Sequence, residues 1–329
     1  MTVAEVRSRL RDYDQETIIE IAAQLYRRVP KQRRDDDQID AMILDYALSK
    51  EEKAVKKAIA VDFASLKSHI ELFVEYVHSG YYSEPNRFIS KAQRSKWRFV
   101  VRDLLKKLLE VKGEDAPAAA QFMATLYTIL CEACHRYVFN TEAPFSAVGY
   151  QQRDLFMVVV SKLFYSGATP AAMKTAVELT IDPRVDRDTL TSYMRHDFVK
   201  YLKTPMLKEM AAEECVDFLA RTKPKPPDPK KNRYDADESY LEKQRRNHAV
   251  ELYFSLQCAL YEYDKGIAFY KNNLTEKREE VKLYMLLDEL NQLKLTDLWI
   301  REYEDAVRRN VNPYESLKQK YNDQVARAK

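Results

Sequence analysis

Glycine is nearly missing from this chain. Five occur in 329 residues: Gly80, Gly113, Gly149, Gly167 and Gly266. Average usage, about 7%, would give about 23. Glycine supplies positive φ at low cost, so tight βα turns, two-residue hairpins and phosphate-cradling loops all lean on it. With none of the five adjacent or near-adjacent, a glycine-rich nucleotide loop is excluded and a helical chain is expected. Cysteine is scarce too: Cys131, Cys134, Cys215 and Cys258 are too few for a disulfide framework. No apolar run approaches the 18 residues or so of a membrane span. The opening, MTVAEVRSRLRDYDQE, has mixed charge and no continuous apolar core like that of an export signal. A cytoplasmic setting with reduced thiols is therefore expected. Lysine and arginine nearly balance aspartate and glutamate, leaving +3. That is a small basic footprint for a dedicated nucleic-acid binder.

What is present reads as helix after helix. Asp14 precedes an amphipathic stretch that Pro30 stops, and Thr2-x-x-Glu5 has the form of a capping box. Asp35, Asp36 and Asp37 place negative charge where a helix dipole favours it. Phe63, Leu66, Ile70, Phe73 and Val77 recur at intervals of three and four, ending at Ser79-Gly80. Further helices are expected at 90–111, 117–139, 150–166, 170–180, 187–201 and 205–221, with Thr169-Pro170 a strong start signal. FMVVVSKLF, 156–164, is the best strand candidate, and its setting favours a buried helix.

Composition changes at TKPKPPDPKKNR, 222–233, where four prolines and five basic residues oppose helix and favour extended chain. This predicts an N-terminal helical domain over 1–222, a linker at 223–233 and a C-terminal domain over 234–329. In that last part an offset of 33 lays Val250 on Leu283, Tyr253 on Leu286, Phe254 on Leu287 and Leu260 on Leu293. It also lays Ile267 on Ile300 and Tyr270 on Tyr303. Each half then reads as helix, short turn, helix, with Thr296 a candidate cap in the second copy and Asn312-Pro313 starting a last helix. Such hairpins bury their apolar faces by stacking, which leaves a concave side for a ligand. YDKGIAFYKN resembles the second-helix pattern of tetratricopeptide repeats, although Gly266 is displaced from that family's turn.

Sites for chemistry are few. Cys131-x-x-Cys134-His135 has haem-attachment spacing, yet at 100° per residue Cys131, Glu132 and His135 fall opposite the Phe122, Met123, Leu126, Ile129, Leu130, Ala133 and Tyr137 face. No second Cys/His pair follows to complete a zinc site. Glu75-x-x-His78 with Glu132-x-x-His135 has the form of part of a di-metal helical centre, but both motifs are expected to face solvent. Neither G-x-S-x-G nor H-E-x-x-H occurs, and no cofactor is expected.

The most distinctive stretch is YYSEPNRFISKAQRSKWRFVVRDLLKK, 81–107. On one helix, Lys91, Arg94, Arg98, Arg102 and Lys106 form a basic stripe beside an apolar band of Trp97, Val100, Val101, Leu104 and Leu108. Such a stripe is commonly a solvated face whose stems cover apolar neighbours, and it can also meet phosphates or an acidic partner. Tyr82-x-x-Pro85-Asn86-Arg87, followed by Lys91-x-x-Arg94-x-Lys96-Trp97-Arg98-Phe99, resembles a family of uncharacterised, all-helical bacterial proteins. LCEAC and FSAVGYQQRDLF extend the likeness over 80–160. The resemblance implies a bacterial, cytoplasmic protein and carries no mechanism. The expectation is an all-α protein: an irregular bundle or HEAT-like array, then stacked hairpins. Its function is expected to be non-enzymatic binding of a macromolecule, a protein first, with nucleic acid or an acidic polymer as the alternative. A di-metal enzyme is a minor third reading. Asn86, Arg87, Lys91, Arg94, Arg98, Arg102 and Lys106 are the candidate contact residues.

Overall fold

The structure is a computed structural model that describes residues 3–30, 34, 39–44, 62–83, 90–222 and 233–328. Among the described residues it is all-α, with no strand. The chain divides into two compact units, Met1–Val61 and Asp62–Lys329.

The first unit contains α1 (Val3–Leu10), α2 (Gln15–Arg28) and α3 (Ile39–Leu44). Asp14 caps α2 by accepting from the Thr17 N–H at 2.8 Å. The Tyr26 hydroxyl donates to Asp40 on α3 at 2.8 Å, and Arg34 lies over the Tyr26 ring. The expected box at Thr2 and the acidic start at Asp35–Asp37 lie outside the described residues.

In the second unit α4 (Phe63–His78) buries Leu66, Ile70, Phe73 and Val77, the expected stripe. The helix expected over 90–111 is two: α5 (Lys91–Arg94) and α6 (Trp97–Glu110), separated by a turn at Ser95-Lys96. Because α6 restarts at Trp97, its buried face is Trp97, Val101, Leu104, Leu105 and Leu108, and Val100 is left exposed. Trp97 stacks on Phe139 with ring centroids 3.8 Å apart, fastening α6 to the chain beyond α7 (Ala116–His135). The central helix is α7, packed against α6, α8 (Pro144–Ala147), α9 (Gln152–Leu163) and α10 (Pro170–Thr180). It is therefore apolar on most sides, and Cys131, placed opposite the core by the helical wheel, is buried, whereas Tyr137 lies beyond the helix end and is exposed. The 156–164 stretch is helical, as expected, with Val159 and Val160 fully buried.

Next come α11 (Thr191–Tyr201), α12 (Pro205–Arg221), α13 (Arg233–Ala259), α14 (Tyr263–Asn273), α15 (Glu279–Gln292), α16 (Thr296–Arg308) and α17 (Glu315–Ala328). The Pro/Lys-rich segment expected as a linker lies, apart from Arg233, outside the described residues. The helices on either side of it, α12 and α13, pack on each other inside the second unit. Arg246 of α13 seals that contact by donating to the Leu219 carbonyl at 2.9 Å and to the Thr222 carbonyl.

The C-terminal helices explain how the chain manages with five glycines. At three helix ends the left-handed position is held by Tyr261, Lys294 and Asn310, with φ of 64°, 59° and 63°. Each is followed by the backbone bond that closes a Schellman turn: Glu262 to Gln257, Leu295 to Leu290 and Val311 to Ala306. Tyr261 and Lys294 are related by the 33-residue offset, so the two hairpins share a turn geometry. The pairs matched by that offset are also alike in burial: Phe254 with Leu287, and Tyr270 with Tyr303. Thr296 is the first residue of α16 rather than its cap; Leu295 occupies the cap position without a side-chain bond. The second helices of the hairpins are tied by Lys271 to Glu302 at 2.5 Å and Arg301 to Asp264 at 2.7 Å.

Candidate functional site

Most buried polar side chains hold the fold, and removing them from consideration exposes the site. Arg184 donates to Asp182 at 2.6 Å and to Glu132 at 3.1 Å. Gln152, fully buried, donates to the Arg184 carbonyl at 3.1 Å and accepts from the Asp186 N–H at 2.7 Å. These bonds fasten the 182–190 loop to α7 and α9. Lys162 donates to the carbonyls of Leu109 and Val111, satisfying the end of α6, and its burial lowers its pKa. His248 donates from Nδ1 to the Ile181 carbonyl at 3.1 Å, and burial drops its pKa to about 4.

A buried charged cluster joins three helices. Arg195 of α11 is buried and donates to Glu251 of α13 at 2.6 Å and to Glu289 of α15. Burial opposes its charge, but Glu289 and Glu251 outweigh that and raise its pKa. Burial likewise raises the pKa of both carboxylates, with Arg195 pulling the other way. One arginine thus clamps the first helices of both hairpins.

Above this clamp a cleft of about 610 Å³ opens between α11, the start of α12 and the hairpins. Ser192, His196 and Lys200 follow one another at intervals of four along α11, on the face away from buried Met194 and Phe198. Lys203 and Lys208 continue the wall, with Arg195, Cys258 and Glu289 in the lining and Tyr261 also contributing. Arg195, Lys200, Lys203 and Lys208 therefore bring four positive charges to a lining with a single carboxylate, Glu289. Among the described residues the side chains of His196, Lys200, Lys203 and Lys208 have neither a hydrogen-bond partner nor an ion-pair partner. Arg153 takes Asp197, the only acidic residue of the 196–208 stretch, in a two-point ion pair. Apolar surface from Val199, Leu202, Leu293 and Leu295 lies between the charges. A cavity of this size with fixed cations and apolar walls fits an anionic group carried on a larger molecule.

Of the residues expected as contacts, five lie on α5 and α6. Asn86 and Arg87 lie outside the described residues. Lys91 begins α5, and Arg94 is half-buried at its end. Arg98 lies over the exposed Phe99 ring at 5.0 Å. Arg102 donates to the Val148 and Ala147 carbonyls at 3.1 and 3.4 Å, so it closes the end of α8. Lys106 is exposed. Glu75, His78 and His135 are exposed, and Glu132 is engaged by Arg184 rather than facing solvent freely. Among the described residues no group of three His, Cys, Asp or Glu side chains could hold a metal ion.

Burial raises the thiol pKa of all four cysteines, Cys134 and Cys258 to about 12, which suits packing rather than nucleophilic attack. Among the described residues no helix is long and apolar enough to cross a membrane. No family model, no curated protein and no solved structure matches the chain. Fold and cleft together define an all-helical protein with a basic recess between a helical array and two hairpins.

Proposed function

We propose that this is a non-enzymatic interaction protein whose hairpins, tetratricopeptide-like in their helix-turn-helix form, help build a recess for an acidic segment of a partner protein. The observation that carries this reading is the unpaired set His196, Lys200, Lys203 and Lys208 around one cleft. Elsewhere in this unit Arg153, Arg184, Arg221, Lys271 and Arg301 hold carboxylates. The three unpaired lysines converging on a recess attract an external anion and steer its approach. The test is quantitative pull-down from native extract with the wild-type chain and with Lys200→Glu/Lys203→Glu/Lys208→Glu. Proteins recovered by the first and lost with the second support the reading. Equal recovery with both refutes it.

A second reading, single-stranded nucleic acid on α6, has one specific observation behind it. Phe99 is 53% exposed and lies between Arg98 at 5.0 Å and Arg102 at 5.8 Å. An aromatic face flanked by arginines is a stacking platform for bases. Salt-dependent binding of an oligoribonucleotide, abolished by Arg98→Glu, is the expected outcome on that reading; no binding at low salt ends it.

A further inference from the structure

A second groove of about 740 Å³ lies on the other side of the α13 end, between α12 and the start of α14. Cleft and groove share Lys208, Ala259 and Tyr261, so they meet around the C-terminal end of α13. Their charges are opposite. The groove presents Glu209, Glu213, Asp217 and Glu262 against Lys208 and Lys265, and none of those carboxylates has an ion-pair partner among the described residues.

Gln257 also lines the groove. It is 2% exposed; its Oε1 is sealed off without a hydrogen-bond partner, and its Nε2, the more accessible amide atom, has no partner either. An amide donor left without an acceptor in a nearly buried side chain is satisfied by a ligand carbonyl. Its stem is held from below by α14: at Gly266 an added Cβ would lie only 3.1 Å from the Gln257 Cβ. The root of the side chain is therefore closely packed on that side.

We propose that the segment bound here is an extended peptide in which a run of acidic residues adjoins a run of basic ones. The acidic run lies in the cleft against Lys200 and Lys203. The basic run lies in the groove against Glu209, Glu213 and Asp217, and a peptide carbonyl between them accepts from Gln257 Nε2. This rests on the reading of the cleft as a protein-binding recess and goes further by fixing the charge order of the partner. A uniform polyanion, nucleic acid included, meets repulsion in the groove.

The test is fluorescence anisotropy on the full chain with labelled synthetic peptides of about 12 residues: a Glu-block/Lys-block peptide, an all-acidic one and an all-basic one. A labelled oligouridylate serves as the polyanion. The block peptide is expected to bind about 10-fold tighter than the all-acidic one, the difference one well-placed charge pair makes. Gln257→Leu should weaken the block peptide about 3- to 10-fold without lowering the melting temperature. Glu209→Lys/Glu213→Lys should transfer the preference to the all-acidic peptide. If the all-acidic peptide binds as tightly as the block peptide, the charge order is wrong and the basic cleft stands. If the oligouridylate binds and no peptide does, both readings fall.

Discussion

Replacing Arg195 by alanine separates a buried clamp from a surface ion pair. The side chain is 5% exposed and holds two carboxylates, Glu251 at 2.6 Å and Glu289, on the first helices of the two hairpins. Without it both acids lie buried beside each other with no cation. Removing one member of a buried ion pair costs about 3–5 kcal/mol, against about 0–1 kcal/mol for an exposed pair. At about 2–4 °C per kcal/mol for a unit of this size, the melting temperature should fall by about 6–20 °C. Urea unfolding followed by far-ultraviolet circular dichroism gives the free energy.

The sign with pH is fixed. Burial raises both carboxylates above their ordinary 4.5, so their contribution is fully present below that value and is lost as pH rises through the raised pKa. The alanine variant should thus be penalised most near neutrality and least near pH 4.5. Combining Arg195→Met with Glu251→Gln and Glu289→Gln should recover most of the loss, because it leaves no unpaired buried charge. A cost below about 1 kcal/mol at pH 7.5 would show the three groups to be solvated and the clamp reasoning wrong.

His248 titrates in the other direction: its pKa is lowered from 6.5 to about 4, so its stabilisation is complete above pH 6.5 and declines as pH falls toward 4, by at most about 3 kcal/mol. Comparing the pH dependence of wild type with His248→Asn, which keeps a donor for the Ile181 carbonyl, should reveal that loss. Parallel curves would contradict it. Lys294 is exposed and left-handed, so Lys294→Gly should raise stability by about 0.5–1 kcal/mol in urea unfolding, and a loss would contradict the turn geometry. The three buried thiols, Cys131, Cys215 and Cys258, should resist an aromatic disulfide reagent for many minutes at pH 7.5 and react together on unfolding. Rapid labelling of Cys258 in the folded chain would mean that the lining of the cleft is open.

The helices were largely legible because their signals are local. Thr169-Pro170 starts α10 where expected, with the Thr169 hydroxyl accepting from Ala172, and the Phe63–Val77 stripe is buried as its spacing demands. The 33-residue offset aligned two turns whose left-handed residues, Tyr261 and Lys294, carry no glycine to announce them. Where a helix touches neighbours on most sides, the wheel failed: Cys131 is buried because α9 and the 182–190 loop cover the face that looked polar. Arg102 looked like a member of a free stripe because its partners, the Ala147 and Val148 carbonyls, lie more than forty residues away and backbone acceptors leave no trace in side-chain pattern. The cleft was hidden for a related reason. HDFVKYLKTPMLK, 196–208, does hold three lysines and a histidine against Asp197 alone, but only the tertiary fold shows Asp197 taken by Arg153 and the others left unpaired.

The most direct measurement is site-specific photo-crosslinking in cells, with a photoreactive amino acid at position 203 in the cleft or at position 98 on α6. The account predicts a protein adduct from position 203 that disappears with Lys200→Glu/Lys208→Glu, and none from position 98. Adducts from position 98 alone, or an adduct at 203 that survives the charge reversals, would contradict it.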